Sequence, residues 1–462
     1  METIVQQILS NFTKKFLKRL GNGELSDLDG MTAILLEDCK EMSRSLVEAA
    51  LEHVNLTMRK DKGFRRENGL IMQQHDRNRT LLTTIGTVHF ARDSYKVKIS
   101  GEYIYPLDEL IRVNPYQRIG DHVSAALVNE AARVSYQKAA EIASGGLVSR
   151  QTVKNKLLAV GMLEKEAPAV KNDANEIHIF VDEDHVHLTP KKSKMVPYAV
   201  LTEGIEAENQ HRNRTINPTH FADRDLDGKE LWNSIAGYLH MAYPQDCKVF
   251  VHGDGANWIK GVTDIIPGCE LVLDEFHLQK YLRKLMNLCP GVNIRKRVMD
   301  AITDNNQERI EEIFGKSVAD MEFKKSQKAL DIKGYILNNW DGIQNRYKEG
   351  MPGSCTEGQI SHGLSERLSR TPAGWSIKGV GSMAMLRAYV NNGMAVKAED
   401  FRRSDEEKEE SLLKGYAERI YKDAVAGAYD WSIFEQEPYT MDIASGTQQL
   451  IGMYGKRQWS VS

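Results

Sequence analysis

Two aspartates in this chain stand at the ends of apolar runs: Asp182 closes IHIFVD and Asp254 closes VFVHGD. Carboxylates held side by side repel, and they ionise together most readily with a divalent cation between them. Two Mg2+ (or Mn2+) ions bridged by such a pair would activate an attacking oxygen and stabilise a leaving one in an in-line phosphodiester displacement. A strand-end aspartate standing alone is more often a turn former or helix N-cap, so the expectation rests on the pair. A third carboxylate is sought on a later helix, and SCTEGQISHGLSERLSR offers two. Glu357 follows Thr356, whose spacing to Gln359 is that of a capping box and would fix the start of the helix. The same glutamate would also complement the helix dipole. Glu366, flanked by Arg367, reads better as a surface-paired residue. Asp274-Glu275-Phe276-His277 sets an acid and an imidazole about twenty residues beyond Asp254. There His277 would orient a phosphate, protonate a leaving group, or serve as a buried, hydrogen-bonded histidine.

The segment 177–277 must position these groups. IHIFVDEDHVHL (177–188) reads as a first strand with a break allowed at its acids, VPYAVLT (196–202) as a second, and a polar stretch through Thr219–Phe221 as a third. Then come the helix GKELWNSIAGYLHMAYP, the strand VFVHGD, the helix ANWIKGVTDII, the strand ELVLD and the helix EFHLQKYLRKLM. Three meandering strands, a helix and then β-α-β-α is the RNase H-like order, an α/β core in which the strands of Asp182 and Asp254 are neighbours. Short strands with central apolar runs fit a sheet covered on both faces. Residues 278–352 read as a helical insertion, with one stripe at Leu278, Tyr281, Leu282 and Leu285 and another at Ile310, Ile313 and Phe314. A third runs through Ile332, Tyr335, Ile336, Trp340, Ile343 and Tyr347. Residues 353–398 would carry the glutamate helix and complete the core; the tail 399–462 is assigned no role.

Ahead of a polar linker (164–176), residues 1–115 read as a mainly helical region with a small β-hairpin over 80–105, turning near Gly86 or Asp93. Residues 116–163 contain an expected helix-turn-helix. A helix from Tyr136 to Ala143 ends at Gly145–Gly146, and Ser149 caps a second that presents Arg150, Gln151, Thr152, Lys154, Asn155 and Lys156. Those side chains suit phosphates and base edges in a major groove, although an ordinary helical hairpin has the same outline. The paired His185 and His187 alternate on a strand beside Asp184; without a cysteine or a third clear ligand, zinc is not expected.

A length of 462 residues favours two or three domains, and 41% hydrophobic with 27% charged residues is a globular composition. No stretch approaches a membrane span, and METIVQQILSNFTKKF lacks a signal-peptide core, so a cytosolic protein is expected. Five scattered cysteines without a CxxC pair suggest free thiols. The net charge of −3 conceals segregation: Arg59, Lys60, Lys62, Arg65, Arg66, Arg77, Arg79, Arg92, Lys96 and Lys98 form a basic run, and acids gather at 399–410. Phosphate binding depends on such local patches.

The set Asp182, Asp254, Asp274-x-x-His277 and Glu357 resembles DDE transposases of the Mutator-like branch. More closely, TEGQISH…SERLSRTPAGWSIKG…MAMLRAYVNNG resembles bacterial insertion-sequence transposases of the ISLre type, from the basic hairpin near 80 to about 395. The resemblance implies Glu357 as the third catalytic acid, terminal repeats and target DNA as substrates, and a homo-oligomer that brings two ends together. Ser361, His362, Arg367, Arg370, Trp375 and Arg387 would then line the DNA path, with arginines on phosphates; Trp375 would stack on a base or, the better reading, fill a core. A transposase-derived DNA-binding protein without catalysis, or a structure-selective nuclease, would share most of these features.

Overall fold

The computed structural model describes residues 2–401, apart from 26, 164, 169, 190–191, 210–211, 291–292, 320, 354–355 and 371–373; the side chains of 2, 207–209, 212–213 and 356–357 are likewise outside the description. The acidic run from 402 onward and the C-terminal tail therefore lie outside the described residues. The chain divides into two compact units, and the break falls between Gly120 and Asp121.

In the first unit, α1 (Glu2–Gly21) packs on the long α2 (Leu28–Lys60), whose N-terminus is capped by Asp27 accepting from the Gly30 N–H at 2.7 Å. Lys15 and Arg19 of α1 both reach the buried Asp38 of α2. After α3 (Lys62–Glu67) the chain forms a three-stranded antiparallel sheet, β1 (Leu70–Thr83), β2 (Gly86–Val97) and β3 (Tyr103–Ile104), followed by α4 (Pro106–Leu110). The hairpin turns at Gly86, whose φ of +104° is strained for a residue with a Cβ. Strand β1 starts ten residues before the expected 80, because QQHDRN is an exposed, bulged stretch without apolar alternation. Asp93 is not a turn residue: it is buried within β2 and bonded by Arg59. Arg79 and Arg92 converge on Asp108 beneath this sheet. Part of the basic run is thus spent on internal pairing.

The second unit opens with three mutually packed helices, α5 (Asp121–Ala131), α6 (Tyr136–Ser144) and α7 (Arg150–Ala159). The expected caps form: Gly145 adopts φ +61°, and Ser149 accepts from the Thr152 N–H at 3.2 Å. A five-stranded mixed sheet follows, built from β4 (Glu176–Leu188), β5 (Lys192–Thr202), β8 (Thr219–Ala222), β9 (Lys248–Gly253) and β10 (Glu270–Leu273) in the spatial order β10-β9-β4-β5-β8. A separate hairpin, β6 (Ile205–Asn209) and β7 (Arg212–Thr215), is inserted before β8. β4 runs antiparallel to β5 and parallel to β9, and it continues through its acids without a break, since pairing with β5 extends from His178↔Thr202 to Leu188↔Lys192.

Period-two alternation sends Ile177, Ile179 and Val181 to one face, where α8 (Gly228–Ala242) and α9 (Asn257–Lys260) cover them with Leu231, Trp232, Ile235 and Ile259. Each such side chain removed from water contributes on the order of 1.5–3 kcal/mol, which makes the register of β4 costly to shift. A one-residue slip would turn this apolar set outward and Asp182 inward. On the other face lie His178, Phe180 and His252, while α17 (Ile377–Asn391) packs on β5 and β8.

The three expected stripes of the insertion meet in one core. Helices α10 (Glu275–Leu288), α11 (Ile294–Thr303), α12 (Gln307–Val318), α13 (Phe323–Asn338) and α14 (Trp340–Arg346) bury Leu278, Leu282, Phe314, Ile336 and Ile343 together with Leu273 of the sheet. The remaining helical segment, α15 (Thr356–Ile360), a π-helical turn (Ser361–Ser365) and α16 (Glu366–Leu368), leads towards α17. Among the described residues no helix is long and apolar enough to cross a membrane.

Candidate active site

Strand register builds the site. Parallel pairing sets Phe180 opposite His252, so Asp182 and Asp254, each two residues further on, leave adjoining strands side by side. β10 lies parallel to β9 on its other side and runs directly into α10, which places His277 in the first turn at the same edge. One potential ligand atom from each of Asp182, Asp254 and His277 lies within 4.8 Å of the other two.

Each group is held from behind. The Asp182 Oδ1 accepts the Glu183 N–H at 2.8 Å, and Glu183, pointing to the opposite face, accepts from the Trp258 indole at 2.7 Å. Asp254 accepts the Ala256 N–H at 2.8 Å, and its backbone carbonyl accepts from the Tyr335 hydroxyl of the insertion at 2.8 Å. Asp274 is at the N-cap position of α10, yet its buried carboxylate makes no capping bond; it meets the His277 Nδ1 at 2.9 Å. The Asp274 N–H donates to the Gly253 carbonyl at 2.8 Å, which ties this support to the residue before Asp254.

The electrostatics follow from burial and charge. Burial is the main reason the Asp182 carboxyl is pushed up to about 6; the Glu183 N–H and His277 oppose the rise, and Asp254 and Asp274 add to it. His277 is raised, first by its bond to Asp274 and then by the negative field of Asp182 and its neighbours, against the opposing effect of burial. One Asp184 carboxylate oxygen, on the same strand face as Asp182, is buried without a hydrogen-bond partner among the described residues. Partly desolvated carboxylates with an imidazole alongside are a donor set that fits a divalent cation. No other group of three such donors is close enough among the described residues, and His185 and His187 are exposed without a third ligand.

Glu357 stands second in α15, which packs against β4 and β5, but its side chain and that of Thr356 lie outside the described residues. Glu366 is exposed and bonded to His362 at 2.8 Å, with Arg370 at 3.5 Å, as expected of a surface pair. The π-helical turn between these glutamates frees carbonyls from the α-helical ladder. The buried Arg387 donates to the Gly363 carbonyl at 2.8 Å and to the His362 carbonyl, and Asn391 donates to Gly363 at 3.2 Å. Gly363 lies so close to Tyr198 that a Cβ would come within 2.8 Å of the ring.

Two arginines expected along the DNA path are instead committed inside the protein, and Trp375 takes the core position preferred for it. Arg367 is buried, donates to the Ala131 carbonyl at 2.8 Å and lies between the rings of Tyr136 and Trp375. Arg387 is committed to backbone carbonyls, including Ala132 at 3.1 Å. Trp375 is a core residue whose indole donates to the Leu368 carbonyl at 3.0 Å. Neither arginine is free to meet a phosphate, because burial leaves its donors dependent on internal acceptors. Arg370 remains exposed.

On α7, Val153 and Leu157 are buried, leaving Arg150, Gln151 and Asn155 exposed and Thr152, Lys154 and Lys156 partly so. Gln151 and Asn155 bond each other at 2.9 Å. Lys156 lies 5.6 Å from the Phe401 ring, and burial lowers its pKa, which makes it the least available of the six. Sequence reasoning missed the supports Tyr335, Trp258 and Glu183: Tyr335 fell on an apolar stripe, and nothing local indicates that its hydroxyl reaches Asp254.

The model of a family described as "Uncharacterised protein family (UPF0236)" matches residues 23–405. A UPF0236 protein of Caldanaerobacter subterraneus subsp. tengcongensis, whose name joins eleven designations, is 33% identical over 401 residues, covering 85% of this chain and 84% of the relative. Another from the same organism, with four joined designations, is 32% identical over 85% of this chain and 84% of its own. A protein of Streptococcus gallolyticus named "UPF0236 protein in vanSb 3'region" is 22% identical over 69% of this chain and 73% of its own length.

Proposed function

The chain belongs to the UPF0236 family, and we propose that it is a DNA transposase, a metal-dependent enzyme with an RNase H-like core that cuts element ends and joins them to target DNA. The observation that carries this reading is the parallel register of β4 and β9, which delivers Asp182 and Asp254 to one point with His277 beside them. The strand order, with three antiparallel strands followed by two parallel ones on the far side of the first, supports the RNase H-like reading. A relative whose name joins eleven designations in one bacterium fits a gene present in many copies, as a self-propagating element would leave.

Asp182 and Asp254 would hold the divalent ions, Mg2+ or Mn2+, with Glu357 as the third acid from the helix packed on β4. Bound ions of this kind supply positive charge that activates an attacking oxygen and stabilises a leaving one. The protein's own part is positional: Glu183, Trp258 and Tyr335 fix the two strand-end aspartates, and Asp274 fixes His277. Such supports matter because a reacting geometry displaced by about 1 Å costs on the order of a hundredfold in rate. Water would attack at an element end, and the 3′-OH so released would attack target DNA at the same site. The exposed face of α7 would read the terminal repeat. Acting on two ends implies a homo-oligomer, in the cytoplasm with the bacterial nucleoid.

The test is Mg2+-dependent cleavage of DNA carrying the neighbouring genomic repeat ends, comparing the natural protein with Asp182→Ala and Glu357→Gln. Cleavage at the ends by the natural protein alone supports the reading. Undiminished cleavage by Asp182→Ala refutes it, whereas undiminished cleavage by Glu357→Gln alone removes that glutamate from the site. Cleavage without joining when a 3′-OH end is supplied would make the protein a nuclease.

A further inference from the structure

Resting on the reading that Asp182 and Asp254 hold a divalent ion, we propose that His277 is a direct ligand of that ion through Nε2, and that the site consequently prefers Mn2+ to Mg2+. The Nδ1 of His277 is taken by Asp274 at 2.9 Å, and the Asp274 side chain is only 1% exposed. A buried carboxylate has strong reason to accept a proton from that nitrogen, which leaves Nε2 with its lone pair free. This is the carboxylate–histidine arrangement that orients metal-bound imidazoles and raises their basicity.

Distances agree. Ligands about 2.1 Å from a shared ion are at most about 4.2 Å apart, and one ring nitrogen of His277 and one oxygen of each aspartate already lie within 4.8 Å of one another. Only a small closing movement is required. The support is also stiff: Asp274 occupies the N-cap position of the well-packed α10, its N–H is bonded to Gly253, and Leu278 beside His277 is buried in the insertion core. A loosely held surface histidine would have none of these constraints.

Selectivity follows from the donor type. Mg2+ demands compact oxygen coordination and gives up water reluctantly. Nitrogen donors favour the first-row transition ions, a series that begins with Mn2+. A site of carboxylates alone would lack this bias.

The experiment is Mn2+ titration of the full chain followed by pulsed electron spin resonance, which detects nitrogen bound to the ion independently of activity. The expected result is saturable Mn2+ binding with nitrogen modulation that changes on 15N-histidine labelling and disappears in His277→Leu. Asp274→Asn should weaken Mn2+ binding by about 10- to 100-fold, while Mg2+ competes poorly against Mn2+ in the natural protein. Bound Mn2+ without histidine nitrogen modulation, or modulation that survives in His277→Leu, overturns the inference while leaving the carboxylate site intact. Should the leucine variant fail to fold, His277→Gln replaces it, since any remaining histidine nitrogen modulation is then read from another residue. Absence of saturable Mn2+ binding, or binding unaffected by Asp182→Asn, overturns the metal-site reading as well.

Discussion

Asp182→Asn should make the metal-free protein more stable at neutral pH while destroying its response to divalent ions. Burial raises the Asp182 carboxyl from 3.8 to about 6, so the folded state resists the charge that the unfolded chain carries freely. The sign is opposite to that of a salt-bridged acid. Between pH 4 and 6 the folded state binds the proton more tightly, and stability falls as pH rises through that window. A displacement of about two pH units corresponds to about 3 kcal/mol at pH 7.5 and to roughly half of that at pH 5. Asparagine carries no charge and retains the oxygen that accepts the Glu183 N–H. For a unit of this size a gain of 3 kcal/mol is a rise in melting temperature of roughly 5 °C. The assay is calorimetry in EDTA at pH 7.5 and pH 5, repeated with Mn2+. The expected pattern is a higher melting temperature for the variant at pH 7.5, a smaller advantage at pH 5, and ion-induced stabilisation in the natural protein alone. A variant that is less stable at pH 7.5, or whose advantage does not shrink with acid, would refute the claim that ionising Asp182 works against burial.

Tyr335→Phe removes a hydroxyl that donates to the Asp254 carbonyl; it should cost about 1 kcal/mol of stability and reduce DNA cleavage more than DNA binding, measured side by side. Arg387→Met strands the carbonyls of Ala132 and His362, while Gly363 keeps the Asn391 amide; at about 1–3 kcal/mol per stranded group, the loss is visible in urea unfolding. Arg150→Ala should lower the slope of log affinity against log salt by about one if that side chain meets a phosphate, whereas Gln151→Ala should leave the slope unchanged and relax sequence preference in a binding titration.

The sequence by itself determined what depends on near neighbours. The caps at Gly145 and Ser149 are spelled by residues within one helical turn, and the insertion stripes by helical period, so both were legible. The Asp274–His277 contact is also local, four residues that open one helix. Asp182 and Asp254 could be picked out because an acid closing an apolar strand is conspicuous, but 72 positions separate them. Their meeting depends on which strands pair and in what register, and that is fixed by the apolar face packed under α8. The partners of Arg79, Arg92, Arg367 and Arg387 were hidden for a related reason. A guanidinium reads as a phosphate contact in any one-dimensional scan, and only packing reveals that it has been taken out of water and paired with carbonyls or a carboxylate. Tertiary structure alone likewise brought Tyr335 to the carbonyl of Asp254, because no local pattern encodes the reach of a side chain across the fold.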